Sequence, residues 1–90
     1  MKHLDIIISG KVQGVFFRAT SKAVADQLGI KGTVRNLPDG KVFIEAEGDN
    51  FSLKIFLEFC HKGSDRSVVE KVDITEGEMK NYVNFEAVKR

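Results

Sequence analysis

The chain has 90 residues, a length that suits one domain with one hydrophobic core, and we expect a single domain over residues 1–90. Its formal net charge is only +1 and its charges of both signs are interspersed, which argues against nucleic-acid and membrane partners. Without an apolar run of bilayer length, a signal-peptide pattern or a second cysteine beside Cys60, we expect the reducing cytoplasm as the location. We also expect a monomer.

The first 29 residues predict a strand, a glycine loop and a helix. Leu4 to Ile8 is almost entirely apolar, which is typical of a central strand covered on one face and partly on the other. Ala19 to Leu28 has apolar residues at helical spacing, and Gly29 is a suitable helix end. Between these elements lies the loop Ser9 to Arg18, which contains two glycines.

A hairpin is predicted next. Gly32 to Leu37 reads as extended, Pro38-Asp39-Gly40 is a strong turn signal, and the residues from Val42 onward alternate as in a half-buried strand. In that strand Val42, Ile44 and Ala46 would be covered, whereas Phe43, Glu45 and Glu47 would form the polar face.

A second helix and two strands complete the pattern. Asp49 or Asn50 can cap the helix, and Gly63 can end it. Its apolar stripe is predicted to consist of Phe51, Ile55, Phe56, Phe59 and Cys60, which makes Cys60 a core residue. The valine-rich segment after residue 67 predicts a strand with a bulge near Glu70-Lys71, and Tyr82 to Val88 predicts a short last strand.

The simplest arrangement of these elements is a ferredoxin-like α/β sandwich of the α+β class. Its order is βαββαβ, with an antiparallel sheet, two helices on one face and a short extra C-terminal strand. This topology carries many functions, so the function must come from the site.

The loop Ser9 to Arg18 suits the binding of a compact anion. It leads into a helix N-terminus, where backbone N–H groups lack intrahelical partners and the helix dipole is positive. Arg18 adds a planar cation. The loop lacks the Gly-Lys-Ser/Thr of a nucleotide P-loop, the spacing of a dinucleotide fingerprint and the cysteine of a phosphocysteine enzyme. We expect no metal, because no Cys/His or carboxylate cluster has metal-ligand spacing and His3 and His61 lie far apart in sequence, at the ends of elements. We also expect no cofactor.

Asn36 is unusual inside a predicted strand and has two interpretations. Its amide could bond to its own backbone before the turn, or it could reach the mouth of the glycine loop and hold a water molecule.

Two motifs in this order resemble the acylphosphatase family. The first is Gly10-Lys11-Val12-Gln13-Gly14-Val15-Phe16-Phe17-Arg18, and the second runs from Gly32 to Gly48 with Asn36, Gly40, Val42 and Gly48 at the family's spacings. The resemblance implies that the backbone of Gln13, Gly14, Val15, Phe16 and Phe17 cradles a phosphate, that Arg18 is the catalytic arginine and that Asn36 orients water. Thr33 stands where the family usually has an aromatic residue, which leaves the packing beside Asn36 open.

The resemblance implies metal-independent hydrolysis of an acyl phosphate to a carboxylate and inorganic phosphate. Two other classes remain open on the residues alone. One is a module that binds an anion without turnover. The other is an RNA-binding ferredoxin-like module, for which Glu45 and Glu47 beside Phe43 make a poor surface.

Overall fold

The computed structural model describes residues 1–89, in which strands and helices follow the predicted order. The elements are β1 (Lys2–Lys11), α1 (Phe17–Leu28), β2 (Lys31–Asn36), β3 (Val42–Gly48), α2 (Asn50–Lys62), β4 (Val68–Gly77) and β5 (Phe85–Ala87). Within this range neither helix combines the length and the apolar character needed to cross a membrane.

The sheet has the ferredoxin-like order β4-β1-β3-β2 with β5 added at the edge. Strand β1 is central, as predicted, and pairs antiparallel with both β3 and β4. The predicted ferredoxin-like fold is confirmed: β1 to β4 form the antiparallel sheet, and the extra strand β5 runs parallel to β2. The last strand is shorter than the predicted Tyr82 to Val88, because the backbone N–H of Tyr82 is drawn away to the Glu47 carboxylate.

The predicted bulge in β4 is present and lies beside the start of the glycine loop. Ser9 pairs with Lys71 and Gly10 with Val69, so that Glu70 has no partner on β1. Gly10 has a φ of 125°, and a Cβ there would collide with the carbonyl oxygen of Val68. Glycine is therefore required where β1 meets the bulge and leaves the sheet.

Both helices bury one face against a shared apolar core. In α1 the buried residues are Phe17, Ser21 and Ala25, and in α2 they are Leu53, Phe56 and Cys60. Cys60 is a core residue, as predicted. The predicted stripe of α2 is wrong at Phe51, which is 74% exposed. Phe51 lies five positions before Phe56, so at 3.6 residues per turn it projects well away from the buried face.

The expectation of a polar, exposed face on β3 is also wrong. Glu45 and Glu47 are only 3% and 1% exposed. The chain that follows β4 returns over them: Lys80 Nζ lies 2.6 Å from Glu45, and the backbone N–H of Lys80 donates to Glu47 at 2.6 Å. Alternation along a strand identifies the second face, but it does not show that another segment covers that face.

Candidate functional site

The loop that joins β1 to α1 ends in a left-handed residue at an open helix N-terminus. Phe16 is the N-cap residue of α1, with φ 60° and ψ 22°. No side chain within residues 1–89 caps this end, and the first turn of α1 contains no acidic residue. Its first N–H groups and the positive end of its dipole therefore remain available to an anion.

A hollow of about 280 Å³ opens at this helix end and is called the site hollow below. Its lining consists of Val12, Gly14, Phe16, Phe17, Arg18, Ala19 and Asn36. The structure thus brings Arg18 of α1 and Asn36 of β2 together, although they belong to separate motifs. Of the five residues expected to form the backbone cradle, Gly14, Phe16 and Phe17 line the hollow, whereas Gln13 and Val15 lie outside its lining.

Arg18 is oriented by the last segment of the chain. Its Nη1 donates a hydrogen bond to the carbonyl oxygen of Val88 at 2.7 Å. Val88 is itself tied to β2, because its N–H donates to the carbonyl oxygen of Val34 at 2.8 Å. A guanidinium has five N–H donors in a planar fork, so this contact fixes the group and leaves donors for an anion. Sequence reasoning missed the contact because Val88 contributes a main-chain oxygen.

Asn36 is the last residue of β2 and shares its face with the core residue Val34. Its Oδ1 is buried and accepts no hydrogen bond from residues 1–89. A buried amide oxygen normally has a donor, so this atom is a suitable acceptor for a bound water. Thr33 is three residues earlier, so it projects to the opposite face, outside the site hollow.

The Gln13 side chain ties the loop to the β2–β3 hairpin. Its Nε2 donates to the carbonyl oxygens of Leu37 and Lys41, both at 2.8 Å. The loop is held from the other side by Ser64, whose Oγ donates to the carbonyl oxygen of Val15 at 2.8 Å. The family resemblance implied only a backbone role for Gln13, whereas the Gln13 side chain couples the loop to the hairpin that carries Asn36.

A second group of ionisable residues lies outside the site hollow and was not expected from the sequence. His3 donates from Nδ1 to Glu47 at 2.7 Å and from Nε2 to Asp5 at 2.8 Å. Single ligand atoms of His3, Asp5 and Glu45 lie within 4.8 Å of one another. The carboxylates are already compensated by the imidazole and by Lys80, so the group functions as an internal ion-pair network.

Cys60 offers no nucleophile to the site. It is fully buried, and burial raises the pKa of its thiol to about 12, so the thiol stays protonated at neutral pH. The only titratable side chain that lines the site hollow, within the described chain, is Arg18. The hollow therefore combines a cation, helix N–H groups and an amide, which suits the binding of a phosphate and a water molecule.

Over most of its length the chain is similar to proteins of one enzyme family. The acylphosphatase family model matches residues 4–87. An acylphosphatase of Archaeoglobus fulgidus is 46% identical over 83 residues, covering 92% of this chain and 93% of the relative. One from Marinobacter nauticus is 52% identical over 67 residues, covering 74% and 73%. The crystal structure of acylphosphatase from Bacillus subtilis superposes with a TM-score of 0.95 at 37% identity, covering 98% of this chain and 99% of that one. The chain therefore belongs to the acylphosphatase family, enzymes that hydrolyse acyl phosphates.

Proposed function

We propose that the site hollow hydrolyses acyl phosphates without a metal ion, with Arg18 and Asn36 as its catalytic residues. The observation that carries this proposal is the meeting of Arg18 and Asn36 at one uncapped helix N-terminus. The donor set also supports it: in the part of the chain that the structure describes, the residues lining the hollow supply no carboxylate, imidazole or thiolate that would serve as a metal ligand.

In this scheme the backbone cradle and Arg18 bind the oxygens of the phosphoryl group. The N–H groups from Gln13 to Phe17 and the guanidinium are fixed donors, so they stabilise charge that develops in the transition state without first having to reorganise. The hydrogen bond from Arg18 to Val88 limits the guanidinium to one orientation. This preorganisation is the main contribution of the protein to the rate.

Asn36 holds the attacking water by its amide. The water oxygen forms a bond to phosphorus as the bond from phosphorus to the acyl oxygen breaks, and the electron pair of that bond leaves on the carboxylate. The proton of the water passes to a phosphate oxygen. A carboxylate whose acid has a pKa of about 4 leaves without help from a general acid. A loose transition state also needs little activation of the nucleophile, so the lack of a base among the lining residues is tolerable.

The same reasoning restricts the substrate. An alkyl phosphate monoester would release an alkoxide, which is a far poorer leaving group. Among residues 1–89, Arg18 is the only titratable side chain in the lining of the site hollow that could assist it. We therefore expect rapid phosphate release from acetyl phosphate in the presence of EDTA, and very slow release from a phosphate monoester.

Release of phosphate from acetyl phosphate, followed with and without EDTA, tests the proposal. Binding of inorganic phosphate without any turnover would instead support an anion-binding module. Loss of activity with EDTA that is restored by a divalent cation would contradict the metal-independent mechanism. A rate on the monoester comparable to that on acetyl phosphate would contradict the role assigned to the leaving group.

A further inference from the structure

Phe16 is an exposed aromatic residue in a backbone conformation that bulky residues rarely adopt. It has φ 60°, and 75% of the residue is exposed to solvent. Its carbonyl oxygen accepts hydrogen bonds from the N–H and the Oγ1 of Thr20, at 3.0 and 2.8 Å. The backbone is thus held firmly, while the ring is left uncovered at the edge of the site hollow.

Phe16 also borders a second hollow, of about 370 Å³, called the rim hollow below. Its lining consists of Val15, Phe16, Thr20, Phe59, Lys62, Gly63, Ser64, Asp65 and Arg66. Aromatic and aliphatic carbon atoms form one part of this wall, and two cations with one carboxylate form another. Because Phe16 belongs to both linings, the rim hollow is the immediate neighbour of the site hollow.

We propose that the ring of Phe16 and the rim hollow bind the acyl group of the substrate and favour acyl phosphates with an aromatic acyl group. This inference rests on the proposed function. Once the phosphoryl group occupies the site hollow, the acyl group must project from its edge. A planar benzoyl group can stack on the exposed ring and remove apolar surface from water, whereas an acetyl group is too small to cover it.

The test measures kcat/KM for benzoyl phosphate and for acetyl phosphate in each variant and divides the first value by the second. Within one variant the ratio cancels general damage to the phosphate cradle, and comparing the ratio of a variant with that of the unaltered protein cancels the intrinsic reactivity of the two substrates. In Phe16→Leu the ratio should fall by about 2- to 12-fold, the range that corresponds to ~0.5–1.5 kcal/mol for an aromatic pair. Phe16→Tyr keeps an aromatic ring and should keep the ratio. Phe51→Leu removes an equally exposed aromatic residue from α2 and is the matched control.

Two results would overturn the inference while leaving the proposed function intact: an unchanged ratio in Phe16→Leu, or an equal fall in Phe16→Tyr. If neither substrate is hydrolysed by the unaltered protein, both the proposed function and this inference are wrong. Asparagine tolerates the left-handed conformation, so Phe16→Asn gives the same test if the leucine variant folds poorly.

Discussion

Nη1 of Arg18 donates to the carbonyl oxygen of Val88 across 2.7 Å, so the proposed catalytic cation is held by the main chain of the last strand region. Val88 is in turn bonded through its N–H to Val34, two residues before Asn36 on β2. Two hydrogen bonds through Val88 thus link the Arg18 side chain to the β2 backbone, two residues from Asn36. The relative position of Arg18 and Asn36 depends on the parallel pairing of β5 with β2.

Replacing Arg18 by lysine should lower kcat/KM for acetyl phosphate by about 10²- to 10³-fold, as for loss of one oxyanion donor. The lysine ammonium keeps the charge but lacks the planar fork, so it cannot hold Val88 and a phosphoryl oxygen in the same geometry. Arg18→Ala should remove nearly all activity. Circular dichroism should stay unchanged, and Lys54→Ala on the exposed face of α2 is the control. An Arg18→Lys variant within a few-fold of the unaltered protein would rule out this role.

Replacing Asn36 by alanine should lower kcat about 10²-fold and leave the inhibition constant of inorganic phosphate almost unchanged. The amide is proposed to position water, and misplacement of a nucleophile reduces the rate without weakening the grip on the phosphoryl group. Steady-state kinetics with phosphate as a competitive inhibitor measures both quantities. Asn50→Ala, at the exposed start of α2, serves for comparison. Weaker phosphate binding with an unchanged kcat would make Asn36 a binding residue instead.

Gln13 should act as a positioning residue through its side chain. Gln13→Ala removes two hydrogen bonds, each worth about 0.5–1.5 kcal/mol, so stability should fall by about 1–3 kcal/mol. Activity should fall too, because the loop is no longer tied to the hairpin that carries Asn36. A glutamate carboxylate cannot donate these hydrogen bonds, so Gln13→Glu should lose stability and activity as Gln13→Ala does. The exposed Gln27 on α1 provides the matched alanine control. Equal kinetics and melting temperatures for the two alanine variants would contradict the positioning role.

The sequence predicted the order of elements because that order follows local rules. The meeting of the two motifs was implied by the family resemblance, since the residues alone left two interpretations of Asn36. Periodicity separates strand from helix, and glycines with Arg18 at a strand-to-helix turn indicate an anion site. The bulge near Glu70 was predictable for the same reason, since the apolar residues of β4 change phase there.

What the sequence could not predict depends on contacts between distant segments. The orientation of Arg18 comes from a carbonyl oxygen, which every residue possesses and no pattern identifies. Burial of Glu45 and Glu47 depends on the chain around Lys80, whose composition predicts only a loop. By alternation Glu47 is expected to face solvent. Its carboxylate instead accepts hydrogen bonds from two backbone N–H groups and from the imidazole of His3.

The His3 network should make stability depend on pH at both ends of the neutral range. Burial by itself would lower the pKa of His3, but hydrogen bonds to Glu47 and Asp5 outweigh it and place the pKa above the ordinary 6.5. Burial would raise the pKa of Glu47, but hydrogen bonds from Lys80, His3 and Tyr82 bring it below the ordinary 4.5. The stability that His3 contributes is therefore complete below pH 6.5 and is lost as the pH rises through the folded-state pKa of His3. The stability that Glu47 contributes is present above pH 4.5 and is lost as the pH falls through the folded-state pKa of Glu47.

His3→Gln should accordingly cost most near pH 6 and progressively less as the pH rises. Removing one member of a buried ion pair lowers the free energy of unfolding by about 3–5 kcal/mol. Because one bound proton is involved, the difference in unfolding free energy between the two proteins changes by at most ~1.4 kcal/mol per pH unit. Urea unfolding of the unaltered protein and of His3→Gln between pH 5 and pH 9 measures this gap in the free energy of unfolding. Glutamine keeps N–H donors on its amide nitrogen but cannot be charged, so the pH dependence of the comparison reports the proton on His3. His61→Gln, at the exposed end of α2, should cost less than 1 kcal/mol, the scale of a helix-dipole contact. A gap in unfolding free energy that stays constant or widens above pH 7 would show that His3 is neutral in the folded protein. A charged imidazole, in contrast, loses its bond to one carboxylate when its proton leaves, so the gap would narrow.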